Sequence, residues 1–172
     1  MEYIINQIIG IVMTFLISIG FQGIQSDPDP VTPAFISGTT TALVNAVIDG
    51  DTIEVSIGTS TQKVKVRYIG IDTPEPYATK SPECGSKEAS ARNRELVQNK
   101  TVTIVPGIDP YDDYERLLAY VYVGDIFVNE TLVGEGFAKV MMFSPNTKYK
   151  TAFAKLYNDA RTQQLGIWNL CE

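Results

Sequence analysis

Histidine is absent from this 172-residue chain, cysteine occurs twice, and no lysine or arginine appears before Lys63. Without histidine, two lone cysteines offer no ligand set for a transition-metal centre. Basic residues number 14 against 20 acidic ones, giving a formal net charge of -6 and a pI near 4.7. That balance excludes a protein that coats nucleic acid through a generally positive surface, although a locally positive cleft stays compatible with it. No internal repeat is present, which removes solenoid architectures.

Charge is also missing from residues 3–26, and Ile8 to Phe21 is apolar apart from Thr14, Ser18 and two glycines. A helix of about 20 such residues spans a bilayer. Ser18-Ile19-Gly20 resembles a signal-peptide cleavage site, so residues 1–25 read as a transmembrane anchor or a signal peptide, in either case without the usual basic n-region. A buried helix of the domain core is the plain alternative, but the run lacks the amphipathic period such a helix carries. Both leading readings place the remainder outside the cytoplasm, membrane-anchored or secreted. Residues 26–41, with Pro28, Pro30, Pro33 and Thr39-Thr40-Thr41, read as an extended linker. The two cysteines, Cys84 and Cys171, form an even pair in an exported chain and are expected as a disulfide, the alternative being two unpaired thiols.

From residue 42 to 172 the pattern is that of one folded domain, long enough to bury a core. Strands are expected over 42–48, 52–57 and 63–71, where β-branched residues are separated by turn chemistry at Asp49-Gly50 and Gly58-Thr59-Ser60. The alternation in Lys63-Val64-Lys65-Val66-Arg67 puts Arg67 on the same face as two lysines. Helical character runs over 86–98, about 129–135 and about 147–164. Strand character returns over 101–105 and in a hairpin of 117–123 with 126–127. Five short strands with interspersed helices are compatible with a small closed barrel.

Acidic and basic residues that suit phosphodiester chemistry recur through this domain. Asp51 and Asp72 are short carboxylates of the kind a hard divalent cation prefers. Asp49, at a strong hairpin signal, is the turn residue of the pair Asp49 and Asp51. Arg67 and Arg116 are planar guanidiniums able to meet two phosphate oxygens at once. Glu75, three residues past Asp72, is placed to orient a water or take its proton. Each has a bland reading: Asp72-Thr73-Pro74-Glu75 could be a turn or helix cap, and Arg116 a solvated charge.

The stretches Val47-Ile48-Asp49-Gly50-Asp51-Thr52, Val66 to Glu75 and Tyr114-Glu115-Arg116-Leu117-Leu118-Ala119-Tyr120 resemble the staphylococcal nuclease (thermonuclease) family. The likeness continues through Val128-Asn129-Glu130 and Gly136-Phe137-Ala138-Lys139-Val140 to Gly166-Ile167-Trp168, covering roughly residues 42 to 170. The resemblance implies an α+β fold: a five-stranded OB-fold β-barrel with three α-helices, preceded here by the N-terminal hydrophobic helix. It implies calcium bound by Asp51, Asp72 and the Thr73 carbonyl, Glu75 as general base, and Arg67 and Arg116 clamping the phosphate. It further implies cleavage of DNA and RNA with little sequence preference to 3'-phosphate and 5'-hydroxyl ends, by a monomer. Tyr114 and Lys139 are the candidate substrate contacts, and Lys139 has a surface residue as its bland reading.

Departures from the family pattern are local. Asp112 and Asp113 precede Tyr114 where a basic residue is usual, making that edge of the cleft more acidic. Met141-Met142-Phe143 stands where tyrosines often stack on the nucleotide, one residue shorter before Pro145, and still offers an apolar platform. The compact stretch between Glu75 and Gly85 carries only Lys80 as a basic residue. The rival to an enzyme is a non-catalytic nucleic-acid or protein binding module of the same fold, as in relatives that have lost carboxylates or clamp arginines. None of those residues is missing here.

Overall fold

A computed structural model describes residues 38–60, 62–77 and 81–171, all within the unit Phe35–Glu172. The expected anchor or signal segment 1–25, and the linker up to residue 37, lie outside the described residues. Eight strands and four helices follow in the order β1 Thr40–Val47, β2 Thr52–Ile57, β3 Lys63–Tyr68, β4 Gly70–Asp72, α1 Ser86–Val97, β5 Thr101–Tyr111 and β6 Leu117–Val123. After these come β7 Ile126–Phe127, α2 Val128–Gly134, β8 Lys139–Met141, α3 Lys150–Thr162 and the one-turn α4 Ile167–Leu170.

Strands β1, β2, β3, β5 and β6 form the barrel. The antiparallel order β3-β2-β1-β5-β6 is closed by a parallel pairing of β3 with β6, in register Val66↔Leu117, Arg67↔Leu118 and Tyr68↔Ala119. Closure removes the exposed edges an open sheet would leave. Three principal helices pack around it, so the fold is the α+β OB-type barrel that the pattern implied. Inward-facing Val44, Ile53, Val55, Val66, Ile104 and Leu117 are all buried, and Leu132, Val133 and Phe153 join the same core from α2 and α3.

Three boundaries differ from the sequence reading. The first strand starts at Thr40, within the stretch read as linker, because Thr40 and Thr41 pair with Ile104 and Thr103 of β5. The expected strand 63–71 is two strands. Gly70 sits at φ +84, a left-handed conformation that suits glycine, and a Cβ there would lie 2.8 Å from Met142 Cε and 3.1 Å from Phe153 Cε2. Strand β5 runs on to Tyr111 past Pro106 and Pro110, through a register shift between Pro106 and Tyr111, since prolines are tolerated at bulges. The small sheet β4-β8 was not expected, three residues being too few to show alternation.

Two buried asparagines secure the frame. Asn129, at the start of α2, accepts the Val121 N–H at 3.0 Å and donates Nδ2 to the Ile69 carbonyl at 2.9 Å. It thereby ties the helix to β6 and to the residue that follows β3, at the end of the parallel closure. Asn93 of α1 accepts the Tyr68 hydroxyl at 2.9 Å and donates to the Asp49 carbonyl at 3.0 Å. Burial holds the Tyr68 hydroxyl protonated, its pKa raised well above the ordinary tyrosine range.

Replacing Asn129 by Ala leaves a buried N–H and a buried carbonyl without their side-chain partner. Asn129→Ala is expected to lower unfolding free energy by roughly 2–4 kcal/mol, read from urea denaturation. An unchanged urea midpoint would remove the residue from the closure.

Candidate active site

The turn joining β1 to β2 is built from Asp49, Gly50 and Asp51. Asp49 accepts the Asp51 N–H at 3.0 Å through its own carboxylate, and the Ile48 N–H donates to the Thr52 carbonyl at 2.9 Å. Asp49 is thus the turn residue of the pair. Gly50 is required by what lies above it: a Cβ there would fall 2.5 Å from Thr73 Oγ1. The β4 end is consequently pressed onto this turn, and Thr73 donates both its N–H, at 2.7 Å, and its hydroxyl, at 3.0 Å, to Asp51 Oδ2.

Arg67 joins the two candidate ligand carboxylates. Strand pairing sets it opposite Thr52, next to Asp51. Its Nε lies 3.1 Å from Asp51 Oδ1, and its Nη2 lies 3.0 Å from Asp72 Oδ1. Its Nη1 donates to the carbonyls of Tyr68 and Ile71 at 2.9 and 2.8 Å. One guanidinium spans both carboxylates, so their Oδ1 oxygens converge within its width. The sequence alternation brings Arg67 here, and its backbone partners arise from the chain turning at Ile69-Gly70.

The parallel closure brings the second arginine alongside. Leu118 stands opposite Arg67, and Arg116 lies two residues earlier. Arg116 Nε pairs with Asp112 Oδ2 at 2.7 Å, while Asp112 Oδ1 accepts the N–H groups of Tyr114 and Arg116 at 2.9 and 3.0 Å. Asp112 therefore shapes the turn and orients Arg116, a role its acidic charge alone did not reveal. Tyr114 is 80% exposed, and the Arg116 guanidinium carbon lies 5.3 Å from its ring centre. Tyr120 is buried in the core instead.

These elements surround a cleft of about 370 Å³ whose lining includes Arg67, Arg116, Tyr114, Asp113, Met141 and Phe143. Met141 and Phe143 are both exposed and supply the apolar platform; Met142 turns into the core. Lys139 stands opposite Asp72 in the β4-β8 pairing, but it lines a second pocket of about 330 Å³ with Pro74 and Trp168. The structure thus places Arg67, Arg116 and Tyr114 at the cleft and joins Asp51, Asp72 and Thr73 to it through Arg67 and Asp51, while Lys139 is exposed across from Asp72. Glu75 is an exposed residue just beyond, with Asp49, Arg67, Asp72 and Glu83 as its charged neighbours.

Negative charge exceeds what the local arginine offsets. Asp51 is 1% exposed. Burial pushes its carboxyl up to about 7, with Arg67 opposing and Asp49 adding to the rise. Glu75 is also held above its ordinary value, first by desolvation and then by Asp49. Among the described residues no group of three or more His, Cys, Asp or Glu side chains is placed to hold a metal ion. The side-chain donor set is two carboxylates, all oxygen, whose Oδ1 atoms meet a single guanidinium. That set fits a hard divalent cation completed by further oxygen ligands.

Two supporting residues, Asn93 and Glu83, were not singled out from the sequence, and Asp112 was marked there only for its charge. Asn93 lies on the buried face of α1 with Ala89, Leu96 and Val97, so a polar residue on that apolar stripe was the available signal. Glu83 and the orienting role of Asp112 carry no such signal, because both depend on loop geometry.

A carboxyl raised by burial costs stability when ionised. Its stabilising contribution is intact below the unfolded-state value near 3.8 and is lost as pH rises through about 7. Asp51→Asn, measured in chelator, is expected to raise unfolding free energy at about pH 8 by on the order of 1 kcal/mol or more, with the gain fading towards about pH 4. Urea titrations at both values check this, and a loss of stability at the higher pH would contradict it.

Comparison with known proteins agrees with this geometry. Residues 65–170 match the family model described as staphylococcal nuclease homologue. The thermonuclease of Staphylococcus intermedius is 39% identical over 127 residues, covering 73% of this chain and 74% of that one. Two Bacillus subtilis proteins, endonuclease YncB and the SPbeta prophage-derived endonuclease YokF, are each 41% identical over 132 residues. Those matches cover 73% of this chain but 60% and 43% of the two relatives. With more than half of its length matched and the barrel, turn and arginines in place, the chain belongs to the staphylococcal nuclease family.

Proposed function

We propose that this protein is a calcium-dependent phosphodiesterase that hydrolyses DNA and RNA with little sequence preference, leaves 3'-phosphate and 5'-hydroxyl ends, and acts outside the cytoplasm. The observation that carries the reading is the span of Arg67 across Asp51 and Asp72 beside the cleft that Arg116 also lines. Nuclease activity itself is what the family and its named relatives support.

Asp51, Asp72 and the Thr73 carbonyl are the residues that would hold calcium, which supplies polarisation of the scissile phosphate when bound. Calcium suits a site whose side chains provide only two carboxylates, because its coordination sphere is flexible and accepts several other oxygens. Arg67 and Arg116 neutralise the charge that builds on the phosphoryl oxygens as water attacks. Both guanidiniums are oriented beforehand, Arg67 by two backbone carbonyls and Arg116 by Asp112, so little reorganisation accompanies the reaction. Glu75 orients the water or takes its proton, and a raised pKa brings its basicity closer to that task. Tyr114, Phe143 and Met141 give bases an apolar surface without reading their edges, which favours sequence tolerance. Lys139, an exposed cation across from Asp72, is a further candidate contact for the substrate backbone.

The uncharged run over residues 3–26 and the disulfide between Cys84 and Cys171 support an exported protein, anchored by its N-terminal segment or released from it. Among the described residues no helix is long and apolar enough to cross a membrane.

Hydrolysis of single-stranded DNA is expected with calcium and not with chelator, with end-labelling of the products reporting 3'-phosphates. Glu75→Ala, Arg67→Ala and Arg116→Ala should each lower kcat by about 10²-fold or more. Full activity in either arginine variant would discard its clamp role, and calcium-dependent binding without cleavage would favour the non-catalytic module.

A further inference from the structure

The segment carrying Glu75 is held from behind by an arrangement that none of the roles above uses. Glu75 donates its N–H to Glu83 Oε2 at 3.0 Å, and Glu83 returns its own N–H to the Glu75 carbonyl at 2.9 Å. This reciprocal pair closes the loop between the two residues at its base. Glu83 is fixed in turn from its far side: its carbonyl accepts the Ser86 N–H at 3.1 Å as α1 begins, and the next residue, Cys84, is bonded to Cys171, 87 positions away. The tail that supplies Cys171 is itself secured by α4, with Ile167 buried and its N–H on the Gly136 carbonyl at 2.9 Å. A covalent and hydrogen-bonded path therefore runs from the body of the domain to the backbone of Glu75.

We infer that Glu83, anchored by the Cys84–Cys171 disulfide, is a positioning residue that sets the placement of Glu75 for water activation. The inference rests on the proposed role of Glu75. Its physical basis is the exposure of that side chain. Unlike buried Asp51 or half-buried Arg67, which are bonded through their side chains, the placement of Glu75 is fixed through the bonds to its backbone. A carboxylate acting as base or orienting group works only within hydrogen-bond reach of its water, and small displacements cost much of its effect. Glu83 touches no reacting atom in this scheme, so its loss should act on turnover rather than on substrate binding, which the arginines and the apolar platform govern.

The test uses calcium-dependent hydrolysis of single-stranded DNA by the full chain. Glu83→Ala is expected to lower kcat about tenfold or more with KM within about twofold. Glu83→Gln, whose amide oxygen still accepts the Glu75 N–H, should restore kcat to within about twofold of the parent. The double variant Cys84→Ser, Cys171→Ser, assayed well below its own Tm, should lower kcat in the parent and add little to Glu83→Ala, as two steps on one path do. Unchanged kcat in Glu83→Ala, beside a Glu75→Ala variant that is inactive, overturns the inference and leaves the role of Glu75 standing. Failure of Glu83→Gln to recover also overturns it. An active Glu75→Ala variant removes the underlying role and this inference with it.

Discussion

The parallel pairing of β3 with β6 is the constraint from which the site follows. Every other barrel pairing is antiparallel, whereas this one is parallel and closes the sheet on itself. Its register decides that Leu118 faces Arg67, hence that Arg116 rises beside the guanidinium that spans Asp51 and Asp72. A shift of one residue would send each side chain to the opposite face of the sheet. Asn129, bonded to the backbone of β6 and of Ile69 just past β3, braces that register with a single buried amide.

Within this frame, charge is arranged against its own comfort. A carboxylate almost wholly out of water costs free energy unless it is paired. Asp51 is paired, yet its one guanidinium is shared with Asp72, and Asp49 stands close enough to add repulsion. The acidic outer edge behaves differently. Asp112, by pairing with Arg116 and capping two backbone N–H groups, is absorbed into the architecture, so of the two unusual acids only Asp113 acts on the cleft simply as charge.

Much of this was legible in the sequence because it lies in short segments with strong local chemistry. Asp49-Gly50 announced a turn, and the alternation around Arg67 announced a half-buried strand. Spacing and family likeness then gathered Asp51, Arg67, Asp72, Glu75 and Arg116. What stayed hidden depends on distant parts of the chain meeting or on loop shape. The β4-β8 pairing joins segments far apart in the chain, while the extension of β5 past two prolines and the clasp between Glu75 and Glu83 follow from loop geometry that carries no residue pattern. Lys139 illustrates the same limit: its place across from Asp72 depends on the short β4-β8 sheet, which the sequence did not announce.

The disulfide also divides the chain topologically. Residues 84 to 171 form a covalent ring that contains Tyr114 and Arg116, while Asp51, Arg67, Asp72 and Glu75 lie on the open arm ahead of it. A protease that nicks any loop inside the ring leaves both cut ends on one molecule, so the barrel's own packing can keep them in place. A cut between Glu75 and Cys84 instead leaves two chains with no covalent link, the carboxylates and Arg67 on one and Arg116 on the other. Covalent continuity between the carboxylates and Arg116 therefore rests on the single strand of backbone ahead of Cys84.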